Sequence, residues 1–328
     1  MDRSSKFLVR KVIIDFVCLF TVGITILMFF LFGKPYQRGF FCNDESLMHP
    51  FKESTVTSPM LYVIGLFLPI CTMIVFEYQH SKRMPERKSL VMFGVNLPAW
   101  VPMAYAKIGI FGFGAAVTVL TTDIAKYTVG RLRPHFLTKC KPQIDCNLPE
   151  NMHRYIEDFS CDPTVPARYL KELRLSFPSG HSSFSAYTMI YLALYLQLRM
   201  TWRGSKLLRH FLQFLCIMMA WFTAMTRISN YKHHWGDVLA GCLIGAAVAL
   251  ITAFGIADLF KERRQEVRCC HQSEESLHQQ QEQAKIRADY EPSASPDATQ
   301  IESTPLRSAS PDYGGVHFSH SENGRKSR

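Results

Sequence analysis

The chain has no Asn-x-Ser/Thr sequon, and no small-residue cleavage pattern follows its first apolar block. N-glycosylation is therefore not expected, and residues 12–33 are predicted to stay in the protein as a membrane helix because the block is longer than a typical signal peptide. The chain also lacks a basic stretch interleaved with aromatic residues. Nucleic-acid binding is accordingly not expected, although the net charge is +10.

Lys and Arg are concentrated in four segments, at residues 3–11, 82–88, 199–209 and 261–268. Cytosolic segments of membrane proteins carry such a surplus of basic residues. We therefore expect these four segments to lie in the cytosol, so that much of the net charge reflects membrane orientation.

Long apolar blocks alternate with these basic segments. A transmembrane helix needs about 20 apolar residues, and six blocks approach or exceed this length, the fifth being the shortest: 12–33, 59–78, 103–123, 182–199, 211–226 and 237–257. The pattern predicts an all-α polytopic membrane domain over residues 1–260, with six transmembrane helices and both termini in the cytosol. The outer or lumenal loops are then 34–58, 126–178 and 227–236.

Residues 261–328 are rich in Gln, Ser, Glu, Pro and Arg and have few large apolar side chains. Such a composition buries too little surface to fold, so a disordered cytosolic tail is predicted. Cys269 and Cys270 follow the last apolar block in a basic setting. They are candidates for S-palmitoylation, with reduced thiols as the alternative.

Four of the ten cysteines fall in predicted outer loops: Cys42, Cys140, Cys146 and Cys161. An oxidising compartment makes disulfides plausible there. Four cysteines allow three pairings, and the sequence does not choose among them.

The segment from Phe177 to His181, with sequence Phe-Pro-Ser-Gly-His, leads into an apolar block. Ser179 suits an N-cap, and the free N–H groups of a helix start, here those of Gly180 and His181, attract anions. The segment therefore predicts a seat for an oxyanion or phosphate. Alternatively, these residues simply begin a helix, with His181 as a satisfied interfacial residue.

Two further clusters fall at the same predicted face. Lys126 and Arg133 are seven residues apart, which would place both cations on one helix face. The alternative is that these side chains only extend to the membrane interface, an explanation that suits Arg131 better than it suits this aligned pair. In the second cluster, Arg227 precedes His233 and Asp237. If a helix begins near His233, Asp237 lies one turn away and can accept its Nδ1–H, which leaves Nε2 free as a nucleophile or base. The alternative is polar decoration of the interface.

Together these clusters predict a phosphoryl-transfer site. Three cations can stabilise the charge on the phosphoryl oxygens while one histidine attacks phosphorus and the other protonates the leaving group. Asp237 is the only carboxylate in the clusters, whereas a two-metal phosphatase would use several oxygen ligands. Neither a metal nor another cofactor is therefore required.

The spacing of these motifs, Lys-x6-Arg-Pro, then Pro-Ser-Gly-His, then Arg-x5-His-x3-Asp, resembles the type 2 phosphatidate phosphatase superfamily. Stretches such as Arg38 to Cys42 and Tyr231 to Trp235 are similar to the animal lipid phosphate phosphatases, the wunen-like group, and the resemblance spans about residues 8–260. It implies a six-helix bundle, homo-oligomers and magnesium-independent dephosphorylation of lipid phosphates in the bilayer.

The resemblance also implies a role for each motif residue. His233 would be the nucleophile, His181 the general acid and Asp237 the residue that orients His233. Phosphate would be bound by Lys126, Arg133, Ser179, Gly180 and Arg227. The chain departs from the family in having Thr226 where a serine usually precedes the arginine.

The function expected from this resemblance is hydrolysis of phosphatidate, lysophosphatidate, sphingosine 1-phosphate or ceramide 1-phosphate through a phosphohistidine intermediate. The site would face outside the plasma membrane or the lumen of the endoplasmic reticulum or Golgi. One alternative is a non-catalytic lipid-phosphate binding or signalling protein of the same fold. A lipid transporter is less consistent with the sequence, since Asp15 and Glu77 lie near cytosolic helix ends rather than at helix centres.

Overall fold

The computed structural model describes residues 3–83, 90–92, 95–200, 206–257 and 279–283. The chain divides into two compact units, Met1–Cys270 and His271–Arg328. In the second unit the described residues, 279–283, form a short helical segment. Cys269, Cys270 and nearly all of the predicted tail lie outside the described residues.

Long helices dominate the first unit. They are α1 (Arg3–Phe32), α2 (Ser58–Arg83), α3 (Trp100–Val129), α7 (Gly180–Arg199), α8 (Lys206–Ser229) and α9 (Trp235–Leu250), the last continuing as a π-helical turn at Ile251–Ile256. Between α3 and α7 lie three short helices, α4 (Phe136–Cys140), α5 (Pro149–Met152) and α6 (Ala167–Leu173). The strands are β1 (Phe40–Phe41), β2 (Leu90–Met92), β3 (Val95–Leu97) and β4 (Tyr155–Ile156), and a 3-10 turn covers Glu45–Leu47. The mostly helical fold confirms the predicted class.

Five of the six long helices are apolar enough to cross a membrane: α1, α2, α3, α8 and α9. The predicted fourth span forms α7, which does not meet this criterion because it carries many hydroxyl and other polar groups. Most of its residues are buried, and it packs against α2, α3, α8 and α9. The surrounding helices therefore shield its polar side chains from lipid, which explains why α7 is less apolar than its neighbours.

Helix α7 lies at the centre of the bundle, in contact with its neighbouring helices. Tyr187, Tyr191 and Tyr195 are fully buried along α7 and belong to the main apolar core with Phe111 of α3. Gly241 and Gly245 of α9 lie directly against the α7 backbone, where a side chain would not fit. Small residues four positions apart permit this close approach of two helices. As a result, the start of α9 is held beside the start of α7.

The connections between helices form a second, smaller core. β1 pairs antiparallel with β4, and Leu132, Phe136 and Leu173 pack in the core beneath them. Disulfides join Cys42 to Cys146 and Cys140 to Cys161. These bonds confirm the expectation of disulfides and select one of the three possible pairings. The Cys42–Cys146 bond ties the α1–α2 connection to the α3–α7 connection, whereas the Cys140–Cys161 bond closes a loop within the α3–α7 connection.

Candidate active site

Ser179 is the N-cap of α7, as the sequence predicts. Its hydroxyl oxygen accepts a hydrogen bond from the Ser182 N–H at 3.4 Å and another from the Ser182 hydroxyl at 2.9 Å. The adjacent Gly180 leaves room for a cation, since a Cβ there would lie 2.9 Å from Lys126 Nζ. The Lys126 ammonium therefore reaches the start of α7. Just below it, the hydroxyls of Thr122 and Ser183 join α3 to α7 at 2.9 Å.

The prediction that Lys126 and Arg133 lie on one helix face is wrong, because α3 ends between them. Gly130 adopts a left-handed conformation with φ of 58°, which glycine tolerates, and its N–H caps the Lys126 carbonyl. The chain then turns out of the helix before Arg133, whose N–H bonds to the Leu173 carbonyl at 2.9 Å. Even so, the two cations lie within electrostatic range of each other. The turn, rather than helical periodicity, brings them together.

Arg227 lies in the last turn of α8 and is only 1% exposed. Its hydrogen-bond partners among the described residues are neutral hydroxyls, Thr226 Oγ1 at 3.2 Å from Nη2 and Ser54 Oγ at 3.5 Å from Nη1. Thr226 in turn donates to the Thr223 carbonyl at 2.7 Å. The threonine thus keeps the hydroxyl function of the family's serine. A buried guanidinium held by neutral groups alone is poorly compensated, so the site favours an anionic ligand.

His233 is buried in the connection between α8 and α9, with 5% of its surface exposed. Its Nδ1 lies 2.7 Å from the Ser176 carbonyl oxygen. Since a carbonyl oxygen only accepts, Nδ1 carries the proton and Nε2 has a free lone pair. Burial, followed by the positive charges of Arg133 and Lys126, lowers the pKa of His233 well below its ordinary value. The imidazole is therefore neutral at physiological pH, as a nucleophile must be.

Asp237 does not accept the predicted hydrogen bond from His233. Its Oδ2 lies 4.0 Å from His233 Nδ1, too far for a hydrogen bond. The reason is that α9 begins at Trp235, with His234 as its N-cap, so His233 lies outside the helix. Asp237 instead occupies the third helical position and caps the start of α9, accepting from the His234 N–H at 3.0 Å.

His181 lies within electrostatic range of these groups. Its charged neighbours are Arg227, Lys126 and Arg133, and it also interacts electrostatically with His233. Its Nε2 is buried and has no hydrogen-bond partner among the described residues. The structure therefore brings both predicted histidines and all three predicted cations around one region at the start of α7.

Two residues around Asp237 were not among the predicted site residues. Arg131 Nη1 donates to Asp237 Oδ1 at 2.6 Å, and the Ser176 hydroxyl donates to Asp237 Oδ2 at 2.6 Å. From the sequence, Arg131 is better explained as a cation at the membrane interface. Ser176 lies only three residues before Ser179, but no spacing rule in the sequence marks it as part of the site.

A cavity of about 500 Å³ adjoins Arg133 beside the α3–α7 connection. Its lining includes Phe51, His135, Lys139 and Glu172, and the Glu172 carboxylate lies 3.8 Å from Arg133 Nη2. Of the three predicted cations, Arg133 lines this cavity. Within the described residues, no group of three or more His, Cys, Asp and Glu side chains is arranged to hold a metal ion.

Comparison with known proteins agrees with the motifs. The family model described as PAP2 superfamily matches residues 107–260. No solved structure matches the chain.

Three relatives illustrate the similarity. A Drosophila melanogaster protein provisionally named a phosphatidate phosphatase is 52% identical, over 80% of this chain and 72% of that protein. Rat phospholipid phosphatase 1 is 35% identical over 86% of this chain and 97% of its own length. Human phospholipid phosphatase 2 is 37% identical over 77% of this chain and 84% of its own length. The chain therefore belongs to the PAP2 superfamily, as a membrane phosphatase of the lipid phosphate phosphatase family.

Proposed function

We propose that this protein hydrolyses the phosphomonoester of phosphatidate, lysophosphatidate, sphingosine 1-phosphate or ceramide 1-phosphate. The observation that carries the proposal is the cluster of Lys126, Arg133 and Arg227 around His181 and His233, in which the hydrogen-bond partners of the buried Arg227 within the described part of the chain are neutral hydroxyls. A bound phosphate dianion would supply the missing negative charge. The names of the relatives, phosphatidate and phospholipid phosphatases, point to the same class of substrate.

In the first step, the lone pair of His233 Nε2 attacks phosphorus and the P–O bond to the lipid breaks. The lipid alkoxide takes a proton from His181, whose imidazolium form the bound phosphate dianion would stabilise against its three cationic neighbours. Lys126, Arg133 and Arg227 stabilise the charge on the three remaining oxygens, and the N–H groups at the start of α7, with Ser179 and Gly180, seat one of them. The products of this step are the dephosphorylated lipid and a phosphohistidine.

In the second step, water attacks the phosphohistidine while His181 Nε2 takes a proton from the water. The P–N bond breaks, the electron pair returns to His233 Nε2, and inorganic phosphate is released. The same histidine thus serves as acid and then as base, as microscopic reversibility allows. No step uses a metal ion.

The site is proposed to face the extracellular or lumenal side, with both termini in the cytosol. This topology is supported by the excess of Lys and Arg at residues 3–11, 82–88 and 199–209, which the order of the apolar blocks assigns to the opposite side of the membrane from the motifs. The plasma membrane, endoplasmic reticulum and Golgi are all compatible with this topology. A tag placed within residues 141–150 should be accessible only from outside, and labelling from the cytosol would contradict the topology.

The decisive experiment measures phosphate release from a panel of these lipids in detergent, with EDTA present. Wild-type protein should release phosphate, whereas His233→Ala should not. A non-catalytic lipid-phosphate binding protein, the second candidate function, would bind the lipids and release no phosphate in either form. Cross-linking in mild detergent would test the proposed homo-oligomer.

A further inference from the structure

We infer that Arg131 and Ser176 are positioning residues for the nucleophile His233, and that Asp237 acts on His233 through Ser176 rather than by a direct hydrogen bond. The inference rests on the proposed function, because it concerns the role of His233. It adds two residues that have no part in phosphate binding or in the proton transfers described above.

The contact that orients His233 comes from the main chain. The Ser176 carbonyl oxygen is 2.7 Å from His233 Nδ1, whereas the nearest Asp237 oxygen is 4.0 Å away. The direction of the imidazole, and hence the position of Nε2, is therefore set by where the Ser176 peptide lies. Three hydrogen bonds in turn determine where Ser176 and its neighbours lie.

Arg131, Ser176 and Asp237 form a closed triangle in which each residue contacts the other two. The Ser176 N–H donates to the Arg131 carbonyl at 3.0 Å, and the Ser176 hydroxyl donates to Asp237 Oδ2 at 2.6 Å. Arg131 Nη1 completes the triangle by donating to Asp237 Oδ1 at 2.6 Å. The triangle links the end of α3, the segment before α7 and the start of α9.

The triangle is buried on one side and open on the other. Ser176 and the Asp237 side chain are 0% exposed, whereas the Arg131 side chain is 36% exposed. Both Asp237 oxygens are occupied, since Oδ2 also accepts from the N–H and Nδ1 of His234. A fully desolvated carboxylate needs such partners, and Arg131 is the one that brings a full positive charge. Arg131 thus fixes the position of the Asp237 carboxylate, which in turn fixes the position of Ser176.

This arrangement predicts which kinetic parameter each residue controls. Lys126, Arg133 and Arg227 would bind phosphate, and none of them belongs to the triangle. Loosening the triangle should therefore move Nε2 away from the line of attack without removing a phosphate contact. A misplacement of about 1 Å can cost roughly 10²-fold in rate. The expected signature is a lower kcat with unchanged KM and unchanged inhibition by inorganic phosphate.

The first test compares Ser176→Ala and Arg131→Gln with the wild type in detergent, using p-nitrophenyl phosphate. We expect kcat to fall about 10-fold for Ser176→Ala and about 10²-fold for Arg131→Gln, with less phosphohistidine trapped after rapid quenching. Arg131→Lys should recover part of the loss because it keeps the charge. Ser185→Ala and Arg168→Gln are matched controls outside the triangle and should behave as wild type.

The second test separates a positioning role from a direct electrostatic role of Asp237. Asp237→Asn leaves Arg131 without its carboxylate, whereas Arg131→Gln/Asp237→Asn replaces the ion pair by a neutral amide pair. If the triangle positions Ser176, the double variant should be about 10-fold more active than Asp237→Asn, and its inhibition by phosphate should match that of the wild type. A carboxylate that acted directly on His233 could not be replaced in this way.

Three outcomes would overturn the inference: wild-type kcat in both Ser176→Ala and Arg131→Gln, a matching loss of phosphate inhibition in these variants, or a double variant no better than Asp237→Asn. His233→Asn in the same assay separates this failure from failure of the proposed function. If His233→Asn is inactive and the triangle variants resemble wild type, the positioning inference alone fails. If His233→Asn is fully active, the role of His233 fails, and the triangle has no nucleophile to position.

Discussion

The bundle buries charged side chains in two regions that differ in how the charge is balanced. Towards the predicted cytosolic side, Glu77 of α2 is 0% exposed, and its Oε1 accepts from Arg199 Nε at 3.0 Å and from the Tyr195 hydroxyl at 2.9 Å. Around the start of α7, by contrast, Lys126, Arg133 and Arg227 converge. In the Glu77 region a buried carboxylate pairs with a guanidinium, whereas at the start of α7 three cations converge and the two nearby carboxylates, Asp123 and Glu172, are partly exposed.

This difference distinguishes a structural ion pair from a ligand site. Glu77 and Arg199 link α2 to α7, and the carboxylate of Glu77 compensates the guanidinium charge of Arg199 within the protein. In the cation cluster, Lys126 Nζ lies 3.7 Å from Asp123 Oδ1, and the Glu172 carboxylate beside Arg133 is 59% exposed. The hydrogen-bond partners of Arg227 in the described part of the chain are hydroxyls. A cluster of buried cations that repel one another is typical of a functional site, where a bound anionic ligand compensates their charge. The predictions below test this contrast.

The largest effect is expected at His233. His233→Asn removes the attacking nitrogen, so turnover should fall by about 10⁴-fold or more, and no phosphoenzyme should be trapped. Protein incubated with ³²P-labelled substrate and quenched in alkaline denaturant, in which phosphohistidine is stable, gives the direct measurement. Label on His181 instead of His233 would reverse the assignment while leaving the enzyme class intact.

The next effect depends on the leaving group. His181→Asn removes the proposed proton donor, which should cost about 10²- to 10⁴-fold on a lipid phosphate. The loss should be much smaller on p-nitrophenyl phosphate, because p-nitrophenolate leaves without protonation. Parallel kcat/KM measurements on both substrates check this. Equal losses on the two substrates would mean that His181 is not the general acid.

The contrast between the two charged regions predicts opposite trade-offs between activity and stability. Arg227→Met should lower kcat/KM by about 10²-fold on both substrate types, because a transition-state charge loses a partner. It should cost little thermal stability, since the buried charge that it removes is hydrogen-bonded to neutral groups among the residues that the structure describes. Arg199→Met should do the reverse and destabilise the protein by about 3–5 kcal/mol, because Glu77 is left buried and unpaired.

The measurements are the melting temperature in detergent and the activity per folded molecule. Glu77→Gln/Arg199→Met serves as the control, because removing both charges should restore part of the stability. If Arg227→Met melted as early as Arg199→Met, the guanidinium would be part of the scaffold. The proposed distinction between the two regions would then be lost.

Sequence reasoning reached the overall fold and most of the proposed site through simple regularities. Apolar block length predicted the long helices, and the cap preference of Ser179 predicted the start of α7. The polar α7 was recognised as a helix, but its burial by neighbouring helices follows only from tertiary packing. The pairing of Cys42 with Cys146 likewise depends on how two distant connections pack, which spacing alone does not determine.

The parts that sequence reasoning missed depend on where helices end. Because α9 begins at Trp235 and not near His233, His233 lies outside the helix, and the expected hydrogen bond to Asp237 does not form. Gly130 ended α3 before Arg133. Ser176 acts on His233 through its main-chain carbonyl, which any amino acid would supply. Its side chain therefore gives no sequence signal for that contact.

The smallest predicted effect concerns His135, which is 3% exposed beside the cation cluster. Its Nδ1 donates to the Tyr231 carbonyl at 2.7 Å. Burial, followed by the nearby positive charges of Arg133 and Lys232, lowers its pKa from 6.5 to about 4. The unfolded chain therefore binds a proton below pH 6.5 that the folded protein takes up only near pH 4. The stability that His135 contributes is complete above pH 6.5 and is lost as the pH falls from 6.5 to about 4.

His135→Asn isolates this contribution, because the Asn amide can still donate to Tyr231 but does not ionise in this range. Between pH 7 and pH 5 the wild type should lose about 2 kcal/mol more stability than the variant. Melting curves of both proteins in the same detergent at several pH values provide the measurement, and the remaining histidines cancel in the difference. A difference that stays constant with pH would show that His135 is as easily protonated in the folded protein as in the unfolded chain. In that case the electrostatic influence of the cation cluster would not extend to His135.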